Sequence, residues 1–244
     1  MRSLICRCIA LLILAFPTQS WAVPFDNIYV LGDSLSDQGN LLAATALIPG
    51  APLLPDPLNY FNGRFSNGPN YVDVLAQQLG LSSGPSLLGG NNFAFGGART
   101  IYNLADSYFT PGLFPWSLNA ETAAFSARGV SDPNALYIVF SGSNDIGDIV
   151  GLGLNPASVM TTLLNGIDSA ISAFRLAGAQ TILVPNVPDL GLEPAFAGNP
   201  AAAAAATALS QQYDALLYAQ LAGITGVHII DFDTFDWSRT VVGG

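Results

Sequence analysis

The sequence predicts an α/β protein, a three-layer α/β/α sandwich around a parallel sheet of about five strands. Two observations lead to this prediction. Short β-rich runs are almost wholly apolar, as is typical of strands buried on both faces of a sheet. Between them lie amphipathic helical patterns, and strands that alternate with helices favour parallel pairing. The four clear runs are residues 28–31, 136–140, 181–184 and 227–232, and a weaker candidate is 92–95.

Three helices are marked by start and stop signals. The helix predicted over 71–79 has Asn70 as its cap and Gly80 as its stop. Asn-Pro pairs begin the helices predicted over 156–176 and 200–221, and a glycine follows each of them. The alanine run 201–206 lies inside the last of these patterns, so we interpret it as helix rather than linker. In the middle helix, one stripe is formed by Val159, Leu163, Ile167, Ile171 and Phe174.

The N-terminal residues 1–22 predict a secretory signal peptide. Arg2 and Arg7 precede an apolar run over 9–16 that is too short to span a bilayer. Small residues at the −3 and −1 positions favour cleavage after Ala22. Both cysteines lie in this leader, so no disulfide is expected in residues 23–244. The length of this remaining part predicts a single domain. We therefore expect a secreted or periplasmic protein.

The charge of the mature chain is strongly acidic. The leader carries two of the seven basic residues, so five arginines remain against 17 acidic residues, a balance of −12. Phosphate backbones attract basic surfaces, and binding to nucleic acid is therefore not expected. No later stretch is long and apolar enough to predict a membrane span.

The most informative segment follows the first predicted strand, where residues 32–40 have the pattern Gly-Asp-Ser-x-Ser-Asp-x-Gly-Asn. A serine in a glycine-containing turn at the end of a buried strand can lift its hydroxyl out of the sheet, as a nucleophile requires. Gly-Asp-Ser alone predicts only a turn and a helix cap, but the longer pattern favours Ser34 as a nucleophile. We interpret Asp37 and Asn40 as residues that brace this turn.

Two later segments end in similar polar turns. Residues 92–98 contain the pair Gly96-Gly97, and the strand predicted over 136–140 runs into Gly-Ser-Asn-Asp, which includes Asn144. A glycine lets a backbone N–H approach a developing negative charge closely. Taken singly, a Gly-Gly pair or an asparagine predicts no more than a turn.

These three segments, in this order, resemble the GDSL, or SGNH, family of ester hydrolases. The resemblance extends over roughly residues 25–235 and implies the SGNH hydrolase fold, whose parallel sheet is flavodoxin-like. It implies that Ser34 is the nucleophile and that its amide, the Gly97 amide (with Gly96 as the alternate) and the Asn144 side chain bind the oxyanion. It further implies hydrolysis of a carboxylic ester or lipid through an acyl-enzyme, which needs no metal or organic cofactor.

Residues 63–68, Gly-Arg-Phe-Ser-Asn-Gly, resemble the long-loop branch of the family, which includes plant lipases and bacterial lecithinase-like enzymes. We expect Arg64 to brace the structure rather than to act at the site, and Asp189 to form a turn. The long connections 49–69 and 106–116 predict ordered loops over the site. Within the second, residues 108–116 could line an acyl-chain groove or pack as a surface loop.

One family feature is missing. The family carries its catalytic Asp and His in an Asp-x-x-His block, and this sequence contains none. The single histidine, His228, begins the last predicted strand, on the order of 15 Å from the edge where Ser34 is expected. We interpret His228 as structural and assign no position to the catalytic Asp and His.

We therefore expect a domain truncated at its C-terminus, with an apolar stripe of the sheet uncovered and ester hydrolysis weak or absent. The alternative is a non-catalytic copy that binds a lipid or an ester. A phosphate or nucleotide binder is disfavoured, because the sequence has no glycine-rich phosphate loop.

Overall fold

The computed structural model describes residues 25–102, 114 and 116–243. The leader predicted over 1–22 lies outside the described residues, as does most of the loop 106–116 that could line an acyl-chain groove.

A parallel sheet forms the middle layer of the described chain, and its strand order follows the chain order. Gly32, the last residue of the first strand, is in register with Phe140, the last residue of the second. The polar turns that follow these two strands therefore lie side by side at the carboxyl edge of the sheet. The four strands are β1 Ile28–Gly32, β2 Leu136–Phe140, β3 Thr181–Pro185 and β4 His228–Phe232.

The fifth strand candidate, 92–95, pairs with β1 only through an isolated parallel bridge. The Phe93 N–H donates to the Val30 carbonyl at 2.7 Å. A continued parallel ladder would next join the Gly32 N–H to the Phe93 carbonyl. The Gly32 N–H instead donates to the carboxylate of Glu121 at 2.8 Å. The ladder is interrupted at this point, so the sheet has four strands among the described residues rather than about five.

The three predicted helices form with the predicted bounds, and each begins at an asparagine whose side chain accepts a first-turn N–H. The sequence patterns do not predict the other four α-helices of the described residues, which are α1, α3, α4 and α7 in the list below. No helix in the described ranges has both the length and the apolarity to cross a membrane. In chain order the helices are α1 Asn40–Ala46, α2 Tyr71–Leu79, α3 Leu118–Ala127, α4 Ser143–Leu152, α5 Pro156–Leu176, α6 Pro200–Leu221 and α7 Thr234–Gly243.

The sheet separates two apolar cores. On one face, the rings of Tyr29 and Tyr137 stack at 5.3 Å, and Phe174 of α5 lies 5.0 Å from Tyr137. Helices α3, α5 and α6 cover this face. On the other face, Val72 of α2 packs against Ile28 and its neighbours in β1 and β2. The predicted three-layer α/β/α arrangement is confirmed.

The cover of the second face stops short of β3 and β4 within the described residues. Phe232 of β4 is 47% exposed and Trp237 of α7 is 57% exposed. Both are large apolar side chains that protein surfaces seldom expose together. Part of this face of the sheet, next to α7, is therefore exposed among the described residues.

Candidate active site

Ser34 lies in the turn directly after β1 and is partly exposed, whereas Asp33 before it is buried. The turn is closed by the N–H groups of Ser36 and Asp37, which both donate to the Asp33 carbonyl at 3.0 Å. Gly32 has φ +155°, and a Cβ there would stand 2.3 Å from the Phe140 carbonyl oxygen. Only glycine permits β1 to turn this close to β2 and so to present Ser34 at the edge of the sheet.

Asp37 joins this turn to the segment that carries Gly96 and Gly97. Its buried carboxylate accepts the N–H groups of Gly39 and Asn40 at 2.7 Å, and it accepts the Gly96 N–H at 2.8 Å. The Asn40 amide donates to the carbonyls of Asn92 and Ala94. The prediction that Asp37 and Asn40 brace the turn is confirmed.

The two glycines have different hydrogen-bonding roles. The Gly96 N–H is directed at Asp37, and a Cβ at Gly96 would lie 2.0 Å from the Phe65 ring. Gly97 is partly exposed at φ +77°, and no described residue accepts its N–H. Of the two amides, the Gly97 amide is therefore the one without an acceptor among the described residues.

Asn144 lies in the first turn of α4, which follows β2. Its Nδ2 donates to the Ala98 carbonyl at 3.0 Å, so the β2 turn is tied to the Gly97 segment. An amide nitrogen carries two hydrogens, and this bond uses one of them. The structure thus brings the turns of Ser34, Gly97 and Asn144 to one edge of the sheet.

A buried ion pair holds the chain beyond Gly97 over α4. The Arg99 guanidinium binds Asp148 through two bonds of 2.8 and 2.9 Å and donates to the Gly97 carbonyl at 2.7 Å. Burial alone would raise the pKa of Asp148, but the bonds from Arg99 and Tyr102 hold that pKa below its ordinary value. This pair was not predicted from the sequence, and it fixes the carbonyl side of the Gly97 peptide.

Burial raises the pKa of several carboxyls around the site. Burial raises the pKa of Asp33 to about 7, although the Leu35 N–H bond opposes this change. Burial likewise raises the pKa of Asp145 to about 6 against the bonds from Thr100. Removal from water disfavours the charged form of an acid, so this edge of the sheet is a poorly solvated environment.

His228 is the first residue of β4 and lies at the opposite edge of the parallel sheet from Ser34. A five-residue strand spans roughly 16 Å, so the imidazole does not reach the Ser34 hydroxyl. The prediction that His228 is distant from the site is confirmed. No described residue forms a hydrogen bond with the Ser34 hydroxyl.

Two other candidates have structural roles, as predicted. Arg64 pairs with Asp73 at 2.7 Å and so anchors the 63–68 loop to the start of α2. Asp189 accepts the Gly191 N–H in a turn and also pairs with Arg239 at 3.1 Å.

An apolar groove of about 660 Å³ opens beside Ser34 on the uncovered face of the sheet. It is bounded by α2 on one side and by β4 and α7 on the other, and a site of this size suits a small-molecule ligand. Within the described ranges, no group of three or more His, Cys, Asp or Glu could hold a metal ion. The lining residues include Ser34, Leu35, Tyr71, Leu183, Phe232 and Trp237.

Comparison with known proteins identifies the family. A family model for the GDSL-like Lipase/Acylhydrolase matches residues 28–241, which include all three turns described above. This chain belongs to the GDSL family. The parallel sheet and the flanking helix layers accord with the SGNH hydrolase fold of that family.

Several known proteins are similar in sequence to this chain, at modest identity. Lipase 1 of Photorhabdus luminescens is 31% identical over 191 residues, which cover 75% of this chain and 25% of that protein. A phosphatidylcholine-sterol acyltransferase of Aeromonas hydrophila is 30% identical over 171 residues, or 70% of this chain and 47% of that protein. Acetylajmalan esterase 2 of Rauvolfia serpentina is 37% identical over 165 residues, or 56% and 46%. The chain thus spans a quarter to about half of the length of these relatives.

Proposed function

We propose that this chain is a secreted serine ester hydrolase that acts on carboxylic esters or lipids with an apolar acyl group. The observation that carries the proposal is the meeting of three turns at one edge of the sheet. Ser34 is partly exposed there, the Gly97 N–H has no acceptor among the described residues, and Asn144 is tied to the Gly97 segment. An apolar groove lies directly beside Ser34.

In the proposed reaction, the Ser34 oxygen attacks the ester carbonyl carbon and forms a tetrahedral intermediate. The Ser34 hydroxyl proton passes to solvent water, and the leaving alcohol oxygen takes a proton from water. The negative charge on the carbonyl oxygen is stabilised by the Gly97 amide, the Ser34 amide and the second N–H of Asn144. Collapse of the intermediate expels the alcohol and leaves an acyl-enzyme, which water then hydrolyses. The acyl chain would occupy the groove against Phe232 and Trp237.

Proton transfer from Ser34 is the step of this mechanism for which the described residues provide no histidine base. The one histidine of the sequence, His228, lies at the far edge of the sheet. Loss of the base in a serine hydrolase can lower turnover by about 10⁶-fold. We therefore propose that the chain by itself hydrolyses esters slowly.

A second candidate is a protein that binds a lipid or an ester without turnover. The position of His228 favours it, since a site without a base can still bind an acyl chain in the groove. Release from the cell is common to both candidates and is supported by the leader pattern of residues 1–22. Expression of the whole chain, with mass spectrometry of the released protein, tests cleavage after Ala22.

The deciding experiment is hydrolysis of p-nitrophenyl butyrate by the purified chain beside Ser34→Ala and Asn144→Ala. Serine-dependent turnover that falls by about 10²–10³ in kcat for Asn144→Ala is the expected result for a hydrolase. Turnover equal to that of Ser34→Ala, in a sample that binds a fatty acid and is folded, favours the binding protein.

A further inference from the structure

Glu121 is a fully buried acid inside α3, at 0% relative exposure. One carboxylate oxygen accepts the Gly32 N–H at 2.8 Å, and the other accepts the Phe95 N–H at 3.2 Å. No cationic side chain among the described residues forms an ion pair with it. Glu121 thus bridges two backbone segments that lie 89 and 26 residues away from it in the sequence.

Each of the two bridged amides lies close in sequence to a residue of the proposed site. Gly32 precedes Ser34 by two residues, and Phe95 precedes Gly97 by two residues. The Phe95 N–H also donates to the Gly32 carbonyl at 3.1 Å, so the two segments remain in contact there. The carboxylate stands where the ladder bond from Gly32 would otherwise continue, and it therefore sets the distance at which the segments diverge.

We propose that Glu121 is a positioning residue, whose bridge fixes the spacing between the Ser34 turn and the Gly97 turn. Its consequence for catalysis rests on the proposed ester hydrolase function. An oxyanion donor helps only when it is held close to where the charge develops, and a misplacement of 1 Å can lower the rate by about a hundredfold.

The electrostatics support a specific role for this acid. Burial raises the pKa of Glu121 well above its ordinary value, and the nearby carboxyls of Asp33 and Asp37 raise it further, while the bonds from Gly32 and Phe95 oppose the change. A buried acid without a cation is costly, and an apolar residue would pack here without that cost. An apolar residue, however, would leave the buried Gly32 N–H without an acceptor.

The test is Glu121→Gln, which keeps the volume but has a single acceptor oxygen, so one of the two amides faces an NH₂ group instead. The matched control is Thr122→Val. The Thr122 hydroxyl donates only to the Leu118 carbonyl within α3, so this change leaves the bridge intact. The assays are kcat and KM on p-nitrophenyl butyrate, and hydrogen exchange of the Gly32 and Phe95 amides by NMR.

Glu121→Gln should lower kcat roughly tenfold to a hundredfold with KM changed by less than about twofold, since the lost geometry matters in the transition state. Exchange at Gly32 or Phe95 should accelerate in this variant and stay slow in Thr122→Val. A kcat equal to that of the control, with both amides still protected, overturns the proposal.

The two proposals fail separately. If the wild-type chain shows no Ser34-dependent turnover, the hydrolase proposal fails, and the exchange rates alone decide whether Glu121 holds the two segments together. If Glu121→Gln does not fold, exchange in the wild-type chain decides. A rate at Gly32 as fast as that of an exposed amide would disprove the bridge, and strong protection at Gly32 would support it.

Discussion

Replacement of Asp33 by asparagine is expected to stabilise the protein at alkaline pH. The Asp33 side chain is 1% exposed, and one of its oxygens accepts the Leu35 N–H at 3.0 Å. The other oxygen has no hydrogen-bond partner among the described residues. An asparagine at this position keeps the acceptor for Leu35 and removes a charge that burial disfavours.

The magnitude follows from the pKa of Asp33, which burial raises from 3.8 to about 7. Because the folded state holds the proton more tightly, the wild-type stability contributed by Asp33 is complete below pH 3.8. It is lost progressively as the pH rises through 7. Each pH unit in this window is worth about 1.4 kcal/mol, so the ionised carboxyl costs roughly 4 kcal/mol above it. A buried amide costs about 1 kcal/mol of this gain, which leaves an expected benefit of roughly 3 kcal/mol.

The assay is urea denaturation followed by circular dichroism, at several pH values between 4 and 8.5. Asp33→Asn should match the wild type within about 1 kcal/mol at pH 4 and exceed it by roughly 3 kcal/mol at pH 8.5. The control Asp168→Asn removes an exposed carboxylate on α5 and should change the free energy of unfolding by no more than about 0.5 kcal/mol. A difference between Asp33→Asn and wild type that does not vary with pH would refute the assignment of a raised pKa to this carboxyl.

Two further substitutions test the bracing of the site by the same denaturation assay. Asp37→Asn should destabilise the protein by roughly 2–4 kcal/mol at neutral pH. Both oxygens of the Asp37 carboxylate accept backbone N–H groups, and the single acceptor oxygen of asparagine cannot replace both. A variant that is more stable than the wild type would contradict this prediction. Arg99→Ala should cost about 3–5 kcal/mol by leaving Asp148 buried without its partner, whereas Arg175→Ala, on an exposed arginine of α5, should cost less than about 1 kcal/mol. Equal losses of unfolding free energy in the two arginine variants would show that the buried ion pair contributes no more to stability than an exposed arginine.

Three helices and the four strands of the described residues could be predicted from the sequence because their signals are local. The helices α2, α5 and α6 carry an asparagine cap at the start and a glycine after the end, and these signals act within one turn of the chain. The buried strands are recognisable from short runs of apolar residues. The starts of the other helices lack an asparagine cap, although Ser117 caps α3 and Gly153 follows the end of α4. α4, for example, begins inside the polar turn of Asn144, where the sequence pattern indicates only a turn.

The site could be predicted only in part, for the same physical reason. Ser34, Gly97 and Asn144 lie in recognisable turns, so a pattern can indicate them. Glu121 could not be found, because its partners lie far away in sequence and its helix was not predicted. Its one signal is a single acid in the otherwise uncharged stretch of α3. The fifth strand fails for the same reason, since the Glu121 carboxylate takes the ladder bond that the pattern of residues 92–95 would otherwise make.

Buried acids gather at one edge of this sheet, where the chain leaves the regular ladder. Backbone N–H groups in buried turns need acceptors, and a carboxylate can accept several at once. The same burial raises the pKa of these acids, so each one opposes folding when it ionises. Stability alone would favour neutral acceptors at this edge. The concentration of ionisable groups around Ser34 therefore supports the proposal, independently of any relative, that the active site lies at this edge. The acids are Asp33 and Asp37 after β1, Glu121 on Gly32, Asp145 after β2, and Asp214, which accepts the Val187 N–H after β3.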